Sequence, residues 1–141
     1  HAERRDDEAL FRVLATKTLE YYRENRDFLR LMLYSALEEH ELAQEFRAKR
    51  THQMHKFLCD YISQRQREGA FGRRNAPAVV HAFLAQLNYH ALLTMLFGAD
   101  ALQVSDQEAV EHFTGLFLDG MRNGAAIGHS ATIKARSKKQ K

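Results

Sequence analysis

The stretch NAPAVVHAFLAQLNYHALLTMLFGA, residues 75–99, decides the fold because it contains no Asp, Glu, Lys or Arg. Asn75 followed by Pro77 is a helix-start signal, and Gly98 is a helix stop, so the pattern predicts one helix of about six turns. Apolar side chains occur on every side of this helix, which is typical of a helix buried all round. The chain's own neighbours can cover one face, and we expect a second copy of the protein to cover the other.

The overall composition predicts one all-α domain of about five helices. The chain has 141 residues, of which 45% are hydrophobic and 28% charged, with one proline and seven glycines. Long runs of β-branched residues, which favour strands, are missing. The patterns place helices over residues 8–23, 28–39, 41–67, 76–97 and 105–121, and the apolar residues of the second predict that it is heavily buried.

The basic charge of the chain is concentrated at one end. The formal net charge is +3, but six basic residues and no acidic residue follow Asp119: Arg122, Lys134, Arg136, Lys138, Lys139 and Lys141. The remaining chain has 15 basic and 18 acidic residues. We therefore divide the sequence into a folded domain, residues 1–122, and a basic, disordered tail, residues 123–141. A slightly acidic body is not a phosphate-binding surface, which argues against direct nucleic-acid binding by the folded part.

The sequence carries none of the common catalytic signatures, so we expect no enzyme activity, no cofactor and no metal. His52, His55 and Cys59 share one helix face, but residues seven apart are about 10.5 Å apart along the axis. One zinc ion, with ligands at about 2.0–2.3 Å, cannot take both ends of that row. A site using one adjacent pair would need further ligands from other helices, such as His81, His90 or His112. Partly buried histidines and a core cysteine remain the favoured interpretation.

Two features of the sequence bear on the cellular location of the protein. A single cysteine excludes an intramolecular disulfide framework and suits a reducing cytoplasm. The 75–99 stretch is long enough to cross a bilayer, but five polar side chains interrupt it: His81, Gln86, Asn88, His90 and Thr94. Such interruptions are costly in lipid, so no membrane span is predicted.

Several segments together resemble one known family. Residues 25–33, NRDFLRLML, look like the EN-x-DLLRLLL stretch of TetR/AcrR transcriptional regulators. Residues 58–73, LCDYISQRQREGAFGR, look like the end of a long helix in that family, L-x-x-YI-x-x-G-x-x-x-G-x-F-R. An apolar helix ending LFG at residues 96–98, and FTGLFLDG at residues 113–120, complete the order. The resemblance covers residues 8–122, and the family's N-terminal helix-turn-helix and connecting helix are not in this sequence.

The resemblance implies that this chain is the effector-binding and dimerisation domain of a bacterial, cytoplasmic, ligand-responsive repressor. Two copies would pair through a four-helix bundle made by the last two helices of each. A small apolar or amphipathic effector would bind between the earlier helices, and operator DNA would be bound only through the missing N-terminal domain. The alternative is a helical small-molecule-binding or metal-binding dimeric module with no role in DNA binding.

Periodicity divides the candidate residues between these two surfaces. The predicted ligand pocket combines apolar walls with a few hydrogen-bonding groups, the usual form of a small-molecule site; it consists of Thr18, Tyr22, Met32, Met54, Leu58, Tyr61, Phe83, Leu87 and His90. The predicted dimer interface lies on the last two helices and consists of Leu84, Asn88, Ala91, Met95, Val110, Phe113, Phe117 and Met121.

Overall fold

The computed structural model describes residues 6–46, 48 and 51–122, and these residues form an all-helical domain without a strand. Residues 1–5 and the predicted basic tail, residues 123–141, lie outside the described residues. The described part contains six α-helices and a short 3₁₀ turn at Ala99–Ala101. The helices are α1 (Asp7–Glu24), α2 (Arg26–Leu37), α3 (Glu41–Phe46), α4 (His52–Arg67), α5 (Ala76–Phe97) and α6 (Asp106–Arg122).

The all-α prediction is confirmed, but the helix count differs. The predicted long helix over residues 41–67 is described as two α-helices, α3 and α4. Between them, Ala48 and Thr51 are described as π-helical, and residues 47, 49 and 50 lie outside the described residues. The apolar pattern continues on both sides of this change, so periodicity alone predicted one continuous helix.

The core forms where α1, α5, α6 and α4 meet. Phe11 of α1 lies at its centre, with ring centroids 5.1 Å from Phe83 and 4.8 Å from Phe117. The ring of Tyr61 on α4 lies 6.2 Å from Phe11. Such tilted and edge-on aromatic pairs add to the stabilisation from apolar burial. The uncharged helix α5 packs against α1, α4 and α6 in this core.

Both predicted ends of α5 are confirmed by local hydrogen bonds. The Asn75 side chain accepts a hydrogen bond from the Ala78 backbone N–H at 2.9 Å, and Pro77 lies in the first turn. Gly98 ends the helix with φ of 95°, a conformation that glycine adopts without a steric penalty, and its N–H donates to the Thr94 carbonyl. These signals depend only on neighbours within four residues, which is why the sequence sufficed to find them.

The predicted end of the helix before Gly69, which is the end of α4, and the predicted start of α6 are also confirmed. At the start of α6, the Ser105 N–H donates to the Glu108 carboxylate at 2.8 Å, and the Glu108 N–H donates to Ser105 Oγ at 3.2 Å. This reciprocal pair is a capping box. At the end of α4, Gly69 has φ of 77°, and the Ala70 N–H donates to the Arg65 carbonyl. That hydrogen bond belongs to a Schellman ending.

The predicted heavy burial of α2 is wrong. Met32 and Ser35 are its buried residues, whereas Leu31, Tyr34 and Leu37 are exposed. The physical reason is the position of α2, which packs against α3 and only lightly against α1. An apolar pattern states which residues favour burial, but not whether the fold supplies a surface to cover them.

A buried ion pair ties the first turn of α1 to α4. Arg65 donates two hydrogen bonds to Asp7, Nε to Oδ1 and Nη2 to Oδ2, both at 2.9 Å. The Tyr61 hydroxyl donates to the same Oδ1 at 2.7 Å. The side chains of Arg65 and Asp7 are 14% and 7% exposed. Burial, and after it the hydrogen bond to Asp7, raises the pKa of the Tyr61 hydroxyl. The hydrogen bonds to Asp7 raise the pKa of the Arg65 guanidinium.

Candidate functional site

A cleft of about 520 Å³ opens where the corner between α1 and α2 faces the C-terminal end of α5. Its walls are mainly apolar and are formed by Leu19, Ala91, Thr94, Met95 and Val104. Its polar rim is formed by Tyr22, Arg23, Arg26, Ser105, Asp106 and Gln107. A concave apolar surface of this size with a few polar groups is the usual form of a small-molecule site.

Most polar groups of the rim are held by hydrogen bonds between helices. The Tyr22 hydroxyl donates to Asn88 Oδ1 at 2.8 Å, and Arg23 Nη1 lies 3.3 Å from Asp106 Oδ2. Arg26 Nη2 donates to the Met95 backbone carbonyl at 2.8 Å. Burial raises the pKa of the Tyr22 hydroxyl, which keeps it neutral and able to donate. These contacts fix the separation of α1, α2 and α5 around the cleft.

His90 supports the cleft from behind. Its side chain is 4% exposed, and Nε2 lies 3.0 Å from Asp106 Oδ1. A carboxylate accepts, so this geometry places the donated proton on Nε2. The ring of Phe113 packs edge-on against the imidazole, with centroids 6.0 Å apart. His90 thereby holds the start of α6, and with it Asp106, at the cleft wall.

The predicted pocket residues are dispersed in the structure. Tyr22 lies on the cleft wall, and His90 lies behind it. Leu58, Tyr61, Phe83 and Leu87 belong to the packed core around Phe11. Thr18 is half-buried on α1, Met32 is buried on α2, and Met54 is exposed on α4. The sequence pattern did not distinguish a filled core from an open cavity.

No family model, curated protein or solved structure matches this chain.

A second, wider groove lies between α4, α5 and the region of α3. Its volume is about 1100 Å³, and four histidines line it: His40, His52, His55 and His81. Leu84 and Asn88, which were predicted to face a second copy of the chain, line this groove as well. These two residues therefore border the groove between α4 and α5.

The histidine and cysteine row on α4 is partly brought together. His55 Nδ1 and Cys59 Sγ lie 3.6 Å apart, and burial raises the pKa of the Cys59 thiol. His52 is exposed and is the end of the row furthest from Cys59. Across the part of the chain that the structure describes, no three His, Cys, Asp or Glu side chains are grouped to hold a metal ion.

The predicted interface residues lie mainly inside the chain. Val110, Phe117 and Met121 of α6 belong to the core, and Phe113 packs against it. On α5, Ala91 and Met95 were predicted to point outward to a second copy of the chain. They are 6% and 7% exposed, so that prediction is wrong and both point inward. The physical reason is that α5 is apolar all round, and such a helix has no polar face from which its rotation can be read.

Another side of α5 presents a row of six uncharged residues that recur every four and three positions; one of them, Ala85, also lines the wide groove. We call this row the α5 seam; it consists of Ala78, Ala82, Ala85, Tyr89, Leu92 and Leu96. Leu92 is half-buried and the other five are exposed. A regular four–three spacing is the pattern of helices that pack side by side. The signal was present in the sequence but was hidden by the equally apolar opposite face.

Leu116 of α6 is a further large apolar side chain that is exposed. It follows Phe113, which packs on His90 of α5, by three residues, so it lies on the edge of α6 beside α5. Leu116 is 69% exposed and Tyr89 is 64% exposed. Among the described helices, α5 is also the one whose length and hydropathy would suffice to cross a membrane, and the core helix of a soluble protein can have the same length and hydropathy.

Proposed function

We propose that this chain is the effector-binding and dimerisation domain of a ligand-responsive transcriptional regulator of the TetR/AcrR type. The observation that carries the proposal is that α5 presents two different faces. One face of this helix lines the cleft through Ala91, Thr94 and Met95, and the other presents the uncharged α5 seam. A ligand in the cleft would therefore act on the same rigid helix that meets a second subunit.

Dimerisation is supported by the chemistry of the exposed surface. The α5 seam has no charged residue, and Leu116 of α6 is a further large apolar side chain that is exposed. Contiguous exposed apolar surface of this kind marks an interaction site. A self-complementary patch suits a two-fold dimer, in which the same surface of both copies meets and four helices pack together.

In the proposed mechanism, α1 transmits the effect of ligand binding to the DNA-reading heads. Its C-terminal end lines the cleft through Leu19, Tyr22 and Arg23, and its 18 residues span about 27 Å. Its N-terminal end is held to α4 by Asp7 and Arg65. A ligand that favours one position of α1 would shift the population toward it. Two DNA-reading heads preceding α1 in a dimer would then change their spacing, which must match half-sites about one helical turn apart.

The DNA-binding part of the proposal is tested by the coding sequence upstream of His1. A cytoplasmic bacterial repressor of this type needs about 50 residues there that form three short helices with a recognition helix. A protein that includes such a segment should retard a fragment of its own promoter in a gel-shift assay. Without that segment, the alternative is a dimeric small-molecule-binding module, and the proposal of transcriptional regulation fails.

The effector site is tested by filling the cleft. Thr94 is half-buried on the cleft wall, so Thr94→Trp should weaken binding of the neutral apolar probe phenylnaphthylamine at least about tenfold. The measurement is a fluorescence titration of the probe. The chain has no tryptophan, so Gln53→Trp, at an exposed position of α4, is the matched control and should leave binding unchanged. Equal affinities of the two variants, or no binding to the unaltered chain, would remove the cleft as the effector site.

A further inference from the structure

We infer that the cleft binds an amphipathic organic monoanion, with its acid group at Arg26 and its apolar body on Ala91, Thr94 and Met95. This inference rests on the proposed function, and it adds the charge and orientation of the ligand. The rim carries two cationic side chains, Arg23 and Arg26, against one carboxylate, Asp106. The lining therefore has one positive charge in excess, which a single acid group would balance.

Arg26 is the cation of the rim that is available to bind an acid group. Arg23 faces the Asp106 carboxylate, and that carboxylate is also held by His90. Arg26, in contrast, has a neutral partner, the Met95 carbonyl. Among the described residues, no carboxylate lies within ion-pair distance of Arg26, and only one of its N–H groups has a protein acceptor. A guanidinium has five such donors in a planar fork that matches a carboxylate or a sulfonate.

Arg26 also contributes to the structure by capping the C-terminal end of α5. A cation at that end interacts favourably with the helix dipole, and this role would suffice to explain its position. The cap uses one N–H and leaves the charge at the rim of an apolar cleft. The start of α6 is not the anion's partner, because Asp106 lies there and the Glu108 carboxylate already accepts from Ser105. The geometry therefore directs an acid group to the α2 side of the cleft.

The floor of the cleft supplies the other half of the ligand's chemistry. Leu19, Ala91 and Met95 are buried core-side residues, and Val104 closes the far wall. A volume of about 520 Å³ lies within the range of small-molecule sites. A fused-ring or long-chain acid would bury its apolar body there and keep its charged end at the rim, whereas a small hydrophilic anion would gain nothing from these walls.

Two fluorescent probes that differ by one acid group test this inference. Anilinonaphthalene sulfonate is phenylnaphthylamine with an added sulfonate. The Arg26→Gln variant should weaken binding of the sulfonate probe about tenfold, the loss of one charge-assisted contact, and change binding of the neutral probe less than twofold. Arg26→Lys keeps the charge and should retain most of the sulfonate probe's affinity. Arg67→Gln, with the same change of charge at an exposed position of α4, should leave both affinities unchanged.

The outcomes separate this inference from the proposed function. If Arg26→Gln leaves the sulfonate probe's affinity unchanged, or weakens both probes equally, the anion inference is overturned while a neutral effector in the cleft still stands. If Arg67→Gln weakens the sulfonate probe as much as Arg26→Gln does, general charge rather than Arg26 is responsible, which also overturns it. If neither probe binds the unaltered chain, both the cleft and the anion fail together.

Discussion

A lysine in place of Leu116 should raise the dissociation constant of the dimer about a hundredfold or more. In the proposed dimer Leu116 lies against the second subunit, so the ammonium group would be taken out of water without a partner. An unpaired charge in an interface costs several kcal/mol, and about 2.8 kcal/mol corresponds to a hundredfold. The side chain is 69% exposed in one chain, so the stability of the single subunit should hardly change. Sedimentation velocity at several concentrations measures the shift toward single chains.

The control for this prediction is another exposed leucine. Leu37 of α2 is 73% exposed and lies outside the α5 seam, so Leu37→Lys makes the same chemical change elsewhere on the surface. It should leave dimerisation unchanged. Tyr89→Lys, within the seam, should act as Leu116→Lys does. A charge at Met95 or Phe117 is unsuitable for this purpose, because both side chains are buried within the subunit and the variant would lose its fold. If Leu37→Lys and Leu116→Lys behave alike, the interface is wrongly assigned.

Replacing Asp7 by alanine should lower the free energy of unfolding by about 3 kcal/mol. The Tyr61 hydroxyl loses its acceptor, and the Arg65 guanidinium keeps only its ion pair with Glu68. Breaking a largely buried pair from one side is costly because the remaining charge loses part of its compensation. Its neighbour Asp6 is the matched control. Asp6 is exposed and only caps α1 through the Ala9 N–H, so Asp6→Ala should cost about 1 kcal/mol.

Urea unfolding followed by circular dichroism measures both aspartate variants. A double variant, Asp7→Ala with Arg65→Met, should be less destabilised than the sum of the two single changes. Each single change removes one partner of the buried pair and leaves the other, whereas the double change removes both. Similar losses for Asp6→Ala and Asp7→Ala would contradict the view that the buried pair anchors α1 to α4.

Local features of this fold were predictable from the sequence, and long-range ones were not. The caps of α5 and α6 follow from side chains within four residues of each helix end, so Asn75, Gly98 and Ser105 were identified directly. The Asp7–Arg65 pair joins residues 58 positions apart, and the sequence around either residue does not indicate its partner. The rotation of α5 was misjudged because hydropathy is similar on both of its faces.

The candidate site shows the same division. Tyr22 and His90 stood out as polar groups among apolar neighbours. Arg26 did not, because in the sequence it belongs to a run of polar residues between two helices, which is typical of an exposed connection. The cleft exists because that corner meets the end of α5 and the start of α6, a meeting that depends on the packing angles of helices. Such angles follow from the detailed fit of side chains rather than from periodicity.

The central claim is that α5 has one face for a ligand and one for a second subunit, and the oligomeric state tests it most directly. Sedimentation equilibrium of the unaltered chain at micromolar concentration should give the mass of two chains. The Leu116→Lys variant should give the mass of one under the same conditions. A single-chain mass for the unaltered protein over the whole concentration range, equal to that of the variant, would contradict the account.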